Sequence, residues 1–187
     1  MSALIASIVL VTNVAYTAAF DTVKRCPSWV SYDLEPAEVV VTNRAPFQFR
    51  ADPRIAESDN AEDYSGSGYD RGHMAPAADF NFDRRALSET YLYSNVCPQL
   101  PSFNRGAWAD VEREVRLLAA SGTVHVLTWP EYMDGICGTN MIGRVRVPAA
   151  FRKVAWGWFG VRTWLVLNFD LASANEKPKT QNKENQK

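Results

Sequence analysis

Four residues spaced by threes and fours, Trp108, Val111, Val115 and Leu118, draw one apolar stripe along an otherwise charged segment. That spacing predicts a helix with a single buried face. Asp110, Glu112, Arg113, Glu114 and Arg116 lie mostly off the stripe. Strand-like segments bracket it: residues 91–97 before it and the alternating residues 123–129 after it. A one-faced helix between strands has to be laid against a sheet. Further strand candidates, by β-branched and aromatic content, are residues 29–34, 39–42, 144–148, 152–156 and 161–169. The expectation is an α+β fold with a mixed or antiparallel central sheet. Asn104 is expected to open the helix, and Gly122 to follow it as a C′ residue.

Composition limits the rest. The chain has 187 residues, 47% of them apolar and six of them tryptophan, enough for one domain with a substantial core. The net charge of −1 gives no support by itself to a partner rich in phosphate. Residues 31–63 hold eight acidic and three basic side chains. Residues 141–169 hold Arg144, Arg146, Arg152, Lys153 and Arg162 with no acid, either a phosphate-facing stripe or the charged outer faces of strands. Cys26, Cys97 and Cys137 are odd in number and lack CxxC spacing, which excludes a zinc signature and allows at most one disulfide. Residues 1–20 are apolar and uncharged, but they lack a basic start and are interrupted at Asn13 and Tyr16. They read as a strand in preference to a cleaved signal or a membrane span, which favours an intracellular setting. Residues 171–187 are polar, lysine-rich and without period, and read as a disordered tail to a domain over 1–170.

The chemistry concentrates in Tyr69-Asp70-Arg71-Gly72-His73-Met74-Ala75-Pro76. A carboxylate, a guanidinium and an imidazole fall within four residues, and imidazole exchanges protons near neutral pH. By itself the segment reads equally well as a surface turn closed by an Asp–Arg pair. The second histidine, His125, sits in an alternating strand and reads as structural.

Ser94-Asn95-Val96-Cys97-Pro98-Gln99, Phe103-Asn104-Arg105-Gly106-Ala107-Trp108 and Val111-Glu112 follow. With these motifs in that order, the chain resembles the DNA/RNA non-specific endonucleases, the ββα-metal (His-Me finger) nucleases of Serratia and endonuclease G type. The match runs over roughly residues 11–169, and Asp63-Tyr64-Ser65-Gly66-Ser67-Gly68 before the motif is most like the endonuclease G branch. The resemblance implies a metal-dependent, sequence-non-specific endonuclease acting on DNA or RNA through the phosphate backbone. His73 would be the general base, Arg71 the phosphate clamp and Asn104 the direct ligand of one Mg²⁺, with Mn²⁺ able to substitute. Glu112 would act through metal-bound water, Asn95 and Gln99 would line the site, and Asp70 would brace the loop. The family's upstream arginine falls on Phe47 here, leaving Arg44 or Arg50 to serve. A homodimer and a protein inhibitor are compatible partner classes, and a membrane is not. The family continues with more strand and a final helix, so the domain reads as shortened at its C-terminal end. Two other classes stay open: an inactive binding module on the same fold, and a phosphoesterase acting on small substrates.

Overall fold

The computed structural model describes residues 7–39, 47–133 and 140–169. Arg44, Cys137, most of the 39–42 strand and the polar tail lie outside the described residues. Strands β1 (Ile8–Thr12), β2 (Tyr16–Asp21) and β3 (Cys26–Leu34) form an antiparallel meander. The chain then passes through the one-turn helix α1 (Ala61–Tyr64) to β4 (Asp70–His73). A 3₁₀ turn (Ala77–Phe80), helix α2 (Arg84–Thr90) and a second turn (Tyr93–Asn95) lead to β5 (Val96–Gln99). After β5 come α3 (Pro101–Asn104), α4 (Ala107–Ala119), β6 (Val124–Glu131), the short pair β7 (Met141–Ile142) and β8 (Val145–Arg146), and the hairpin β9 (Ala150–Gly157) with β10 (Gly160–Leu167).

Six strands make the central sheet in the order β1-β2-β3-β6-β9-β10, antiparallel throughout. The α+β expectation therefore holds, and the sheet is antiparallel. Strand β6 shows why: Val124, Val126, Thr128 and Pro130 are buried while His125, Leu127, Trp129 and Glu131 between them are not. Period-2 alternation commits one face of a strand to the core. Onto that face α4 lays Trp108, Val111, Val115 and Ala119, all buried. Trp108 stacks on Phe103 at 5.3 Å and meets Phe151 of β9 at 5.7 Å.

The N-terminal segment enters the sheet as two strands, with the break at residues 13–15. Cleavage near Phe20 would remove β1 and most of β2. The basic run between 141 and 169 does not form a stripe. Arg144 pairs with Asp63, Arg152 with Glu131 and Arg162 with Glu114, while Lys153 is buried within the core. Acids distant in sequence thus pair with three of the run's five bases.

The helix boundaries also differ from expectation. Asn104 closes α3, and α4 begins only at Ala107, after Gly106 with φ −109° and ψ −113°. A Cβ on Gly106 would sit 2.4 Å from the Ser102 carbonyl oxygen, so the glycine permits the break. At the far end α4 stops at Ala119, with Ala120 still right-handed. Gly122 lies under the Trp158 ring, where a Cβ would fall 2.7 Å from it.

Candidate active site

The two-stranded ribbon β4–β5 pairs Asp70 with Gln99, Arg71 with Pro98, Gly72 with Cys97 and His73 with Val96. Alternation sends Asp70 and Gly72 to one side of β4, and Arg71 and His73 to the other. Aromatic rings enclose the second pair. His73 meets Phe49 at 5.1 Å and Tyr91, edge-on, at 5.0 Å. The Arg71 guanidinium lies 5.9 Å from the Phe49 ring and 5.5 Å from the Tyr64 ring, and its Nε donates to the Tyr93 hydroxyl at 2.9 Å. Phe49 thus touches both side chains and fixes them relative to each other. Arg71 has no carboxylate partner among the described residues, and its terminal nitrogens have only a long contact to the Ala61 carbonyl at 3.4 Å.

On the other side Asp70 accepts from Asn104 Nδ2 at 2.9 Å, and from Arg105 Nε and Nη2 at 2.9 and 2.7 Å. The Arg105 hydrogen bonds hold its carboxyl below the usual carboxylate range against the opposing effect of burial. With Nδ2 engaged, Asn104 presents Oδ1 as its acceptor end. Since Asn104 is the last residue of α3, it is not the N-cap of the long helix.

Asn95 is buried and fully engaged. Its Oδ1 accepts from Ala75 N at 2.9 Å, and its Nδ2 donates to the carbonyls of Ala75 at 3.0 Å and Thr90 at 2.9 Å. Its own carbonyl accepts from Met74 N at 2.9 Å. This clamp seizes the chain immediately after His73. Gln99 is buried over Gly72, where a Cβ would fall 2.0 Å from the Gln99 carboxamide carbon. Only glycine fits between Arg71 and His73 for that reason. The structure therefore brings Arg71 and His73 together on one side of β4, gathers Asp70, Asn104 and Arg105 at its start, and puts Asn95 and Gln99 behind the strand.

Glu112 lies on α4, beyond the break at Gly106, so the straight-helix geometry expected between Asn104 and Glu112 does not apply. Around it the charges are shared. Arg116, one turn on, donates to the buried Asp79 at 2.8 Å, and Asp79 also accepts from the Tyr32 hydroxyl at 2.7 Å. Lys153 donates to Thr128 at 2.7 Å and stands 5.0 Å from the Trp108 ring. Burial lowers its ammonium to about 8, opposed by the attraction of Glu112 and Asp79. Arg116 is thus bound to Asp79.

Arg50 donates to the carbonyl and hydroxyl of Ser88 at 2.9 and 3.0 Å. Cys26 and Cys97 are buried free thiols, and burial raises that of Cys97. His125 pairs with Asp33 at 2.7 Å and stacks on Trp156 at 5.4 Å on the outer side of the sheet, as a structural residue would. Phe49, Tyr64, Tyr91 and Tyr93 escaped the sequence reading as parts of the site. They come from segments up to 24 residues from His73, and aromatic content alone carries no signal of what it encloses.

Residues 6–165 match the DNA/RNA non-specific endonuclease family. Human mitochondrial endonuclease G is 33% identical over 178 residues, which is 86% of this chain and 60% of that protein. The fission yeast (Schizosaccharomyces pombe) protein named "Nuclease 1, mitochondrial" is 39% identical over 127 residues, 65% of this chain and 39% of that one. A solved structure titled "Crystal structure of the EndoG/EndoGI complex: Mechanism of EndoG inhibition" superposes with a TM-score of 0.77 at 31% identity, covering 86% of this chain and 74% of that one. The chain thus spans less than two thirds of the length of the human and fission yeast proteins. No helix among the described residues is long and apolar enough to cross a membrane. The strand–turn–strand–helix arrangement around His73, the antiparallel sheet beneath it and a family match over most of the chain agree: this protein belongs to the DNA/RNA non-specific endonucleases, with the ββα-metal fold of endonuclease G.

Proposed function

We propose that the chain is a metal-dependent endonuclease that hydrolyses phosphodiester bonds of DNA or RNA without regard to sequence. The observation carrying this reading is the pairing of Arg71 and His73 against one ring, Phe49. A guanidinium without an acidic partner suits a phosphate, and an adjacent imidazole suits removal of a proton from the attacking water. In this reading Arg71 holds the non-bridging oxygens. His73 accepts the proton while Phe49, Tyr91 and the Asn95 clamp keep its ring in place.

The residues present fit a hard cation that keeps most of its water. Among the described residues no cluster of three or more histidine, cysteine or acidic side chains could hold a metal, whereas Asn104, its Nδ2 given to Asp70, keeps its carboxamide oxygen as an acceptor. Mg²⁺ takes few protein ligands and retains several waters, and Mn²⁺ can replace it. Asn104 would hold it directly and Glu112 through its water shell. When bound, it supplies neutralisation of the negative charge that builds up on the phosphate and leaving oxygen. Asn95 and Gln99 support β4 from behind. A mitochondrial setting and a protein inhibitor, both named for relatives, belong to the same proposal for this chain.

Supercoiled plasmid incubated with the purified chain and Mg²⁺ tests the reading. Conversion to nicked and linear forms, abolished by a chelator, is the expected result. Intact plasmid beside an active relative as control would overturn it.

A further inference from the structure

The aromatic contacts around His73 continue past it. Phe49 meets Tyr91 at 5.0 Å, Tyr91 meets Phe47 at 5.8 Å, and the Arg84 guanidinium stands 5.3 Å from the Phe47 ring. A single ridge therefore runs from Arg71, past His73, to helix α2. Where it ends, an open depression of about 480 Å³ is lined by Phe47, Arg50, Arg84, Arg85, Ser88 and Glu89.

Charge sets this depression apart. Arg54, Arg116, Arg144, Arg152 and Arg162 each bind a carboxylate elsewhere. Arg50 and Arg84 have no such partner among the described residues: Arg50 donates to Ser88, and Arg84 stacks on Phe47. Arg85 pairs with Glu89, whose other oxygen already accepts from the backbone N–H of Val14. Three guanidiniums thus face one carboxylate that is committed twice, in a chain whose net charge is −1.

We propose that this groove binds the stretch of nucleic-acid strand that flanks the scissile bond, with Arg50, Arg84 and Arg85 on its phosphates and the Phe47 ring against a base or sugar. The proposal rests on the nuclease reading above. A strand with one phosphate at Arg71 and His73 must run on across the surface, and the ridge leads into the cationic depression. Guanidiniums take phosphates whatever the base, and an aromatic face accepts any base. The groove therefore suits an enzyme that does not read sequence. DNA and RNA share this backbone chemistry, so both enter the test.

Binding of a fluorescein-labelled oligonucleotide of about 12 nucleotides, as DNA and as RNA, is measured by anisotropy in the presence of a chelator and over a range of salt. The variants are Arg84→Gln/Arg85→Gln, the charge-keeping Arg84→Lys/Arg85→Lys, and Arg113→Gln, an exposed arginine on α4 paired with Asp110. The Gln pair is expected to weaken binding about tenfold and to flatten the slope of log affinity against log salt by about one to two. The Lys pair should restore the slope, which a loss of structure would not allow, and Arg113→Gln should leave it unchanged. Wild-type affinity and slope in the Gln pair, with wild type cleaving plasmid, would overturn the groove and spare the nuclease reading. A wild type that neither binds nor cleaves would overturn both.

Discussion

The carboxylate of Asp70 accepts the Nδ2 hydrogen of Asn104 at 2.9 Å while Arg105 grips both of its oxygens. A carboxylate can only accept, so the amide nitrogen must face it and Oδ1 must face away. Asp70→Asn abolishes that discrimination, because an amide offers both a donor and an acceptor. Calorimetric Mg²⁺ affinity is expected to fall about 10–100-fold, the usual cost of losing a partner behind a ligand. Unchanged affinity in a folded variant would show that Asn104 is oriented by something else.

His73→Ala should remove cleavage and keep binding. Loss of a general base costs on the order of 10²–10⁴-fold in rate. Oligonucleotide affinity should stay near wild type, since Arg71 keeps its contacts to Tyr93, Phe49 and Tyr64. A variant cutting plasmid at the wild-type rate would require a different base.

Asn104→Ala and Glu112→Ala should separate two ways of holding the cation. Glu112→Ala is expected to cost about 10–100-fold in rate. Asn104→Ala should cost more, and should raise further the Mg²⁺ concentration needed for half-maximal cleavage. Metal titrations of both variants decide it. Unaltered rate and Mg²⁺ dependence in Glu112→Ala would leave Glu112 outside the reaction.

Gly72→Ala should destabilise the ribbon by about 1–3 kcal/mol, because its methyl would overlap the buried Gln99 carboxamide, 2.0–2.3 Å from its atoms. Shortening Gln99 to Ala in the same chain should recover part of the loss in thermal unfolding. A double variant no better than Gly72→Ala would place the conflict elsewhere.

Lys153 gives a pH signature. Its folded value of about 8 lies below the ordinary lysine value of 10.5. Between the two, the unfolded chain holds a proton that the folded chain has released, so stability rises with pH across that window. Lys153→Met lacks this rise. The wild type should gain on the variant by about 3 kcal/mol between pH 7 and 11. Denaturant titrations at several pH values measure the gain, and a constant difference would mean that Lys153 keeps its ordinary value when buried.

Local signals in the sequence reached as far as local physics reaches. The stripe on α4 and the alternation of β6 were legible because burial follows period. The motif strand was legible because its residues are contiguous and match a family. The start of the helix was misread at Asn104, because the break at Gly106 depends on a close approach of the Ser102 carbonyl that no spacing records. The basic run from Arg144 to Arg162 was ambiguous because its acids, Asp63, Glu114 and Glu131, arrive from other elements. The aromatic enclosure of Arg71 and His73 is assembled across chain distance and becomes visible only once the chain has folded.

The Gly106 break puts Asn104 and Glu112 on separate helices. Two groups on one continuous helix keep a separation dictated by helical pitch, whatever else the sequence changes. Here the joint between α3 and α4 sets it. In the proposed metal site, a change at residues 105 or 106 would shift the two side chains relative to each other, and with them the size of ion that suits the gap.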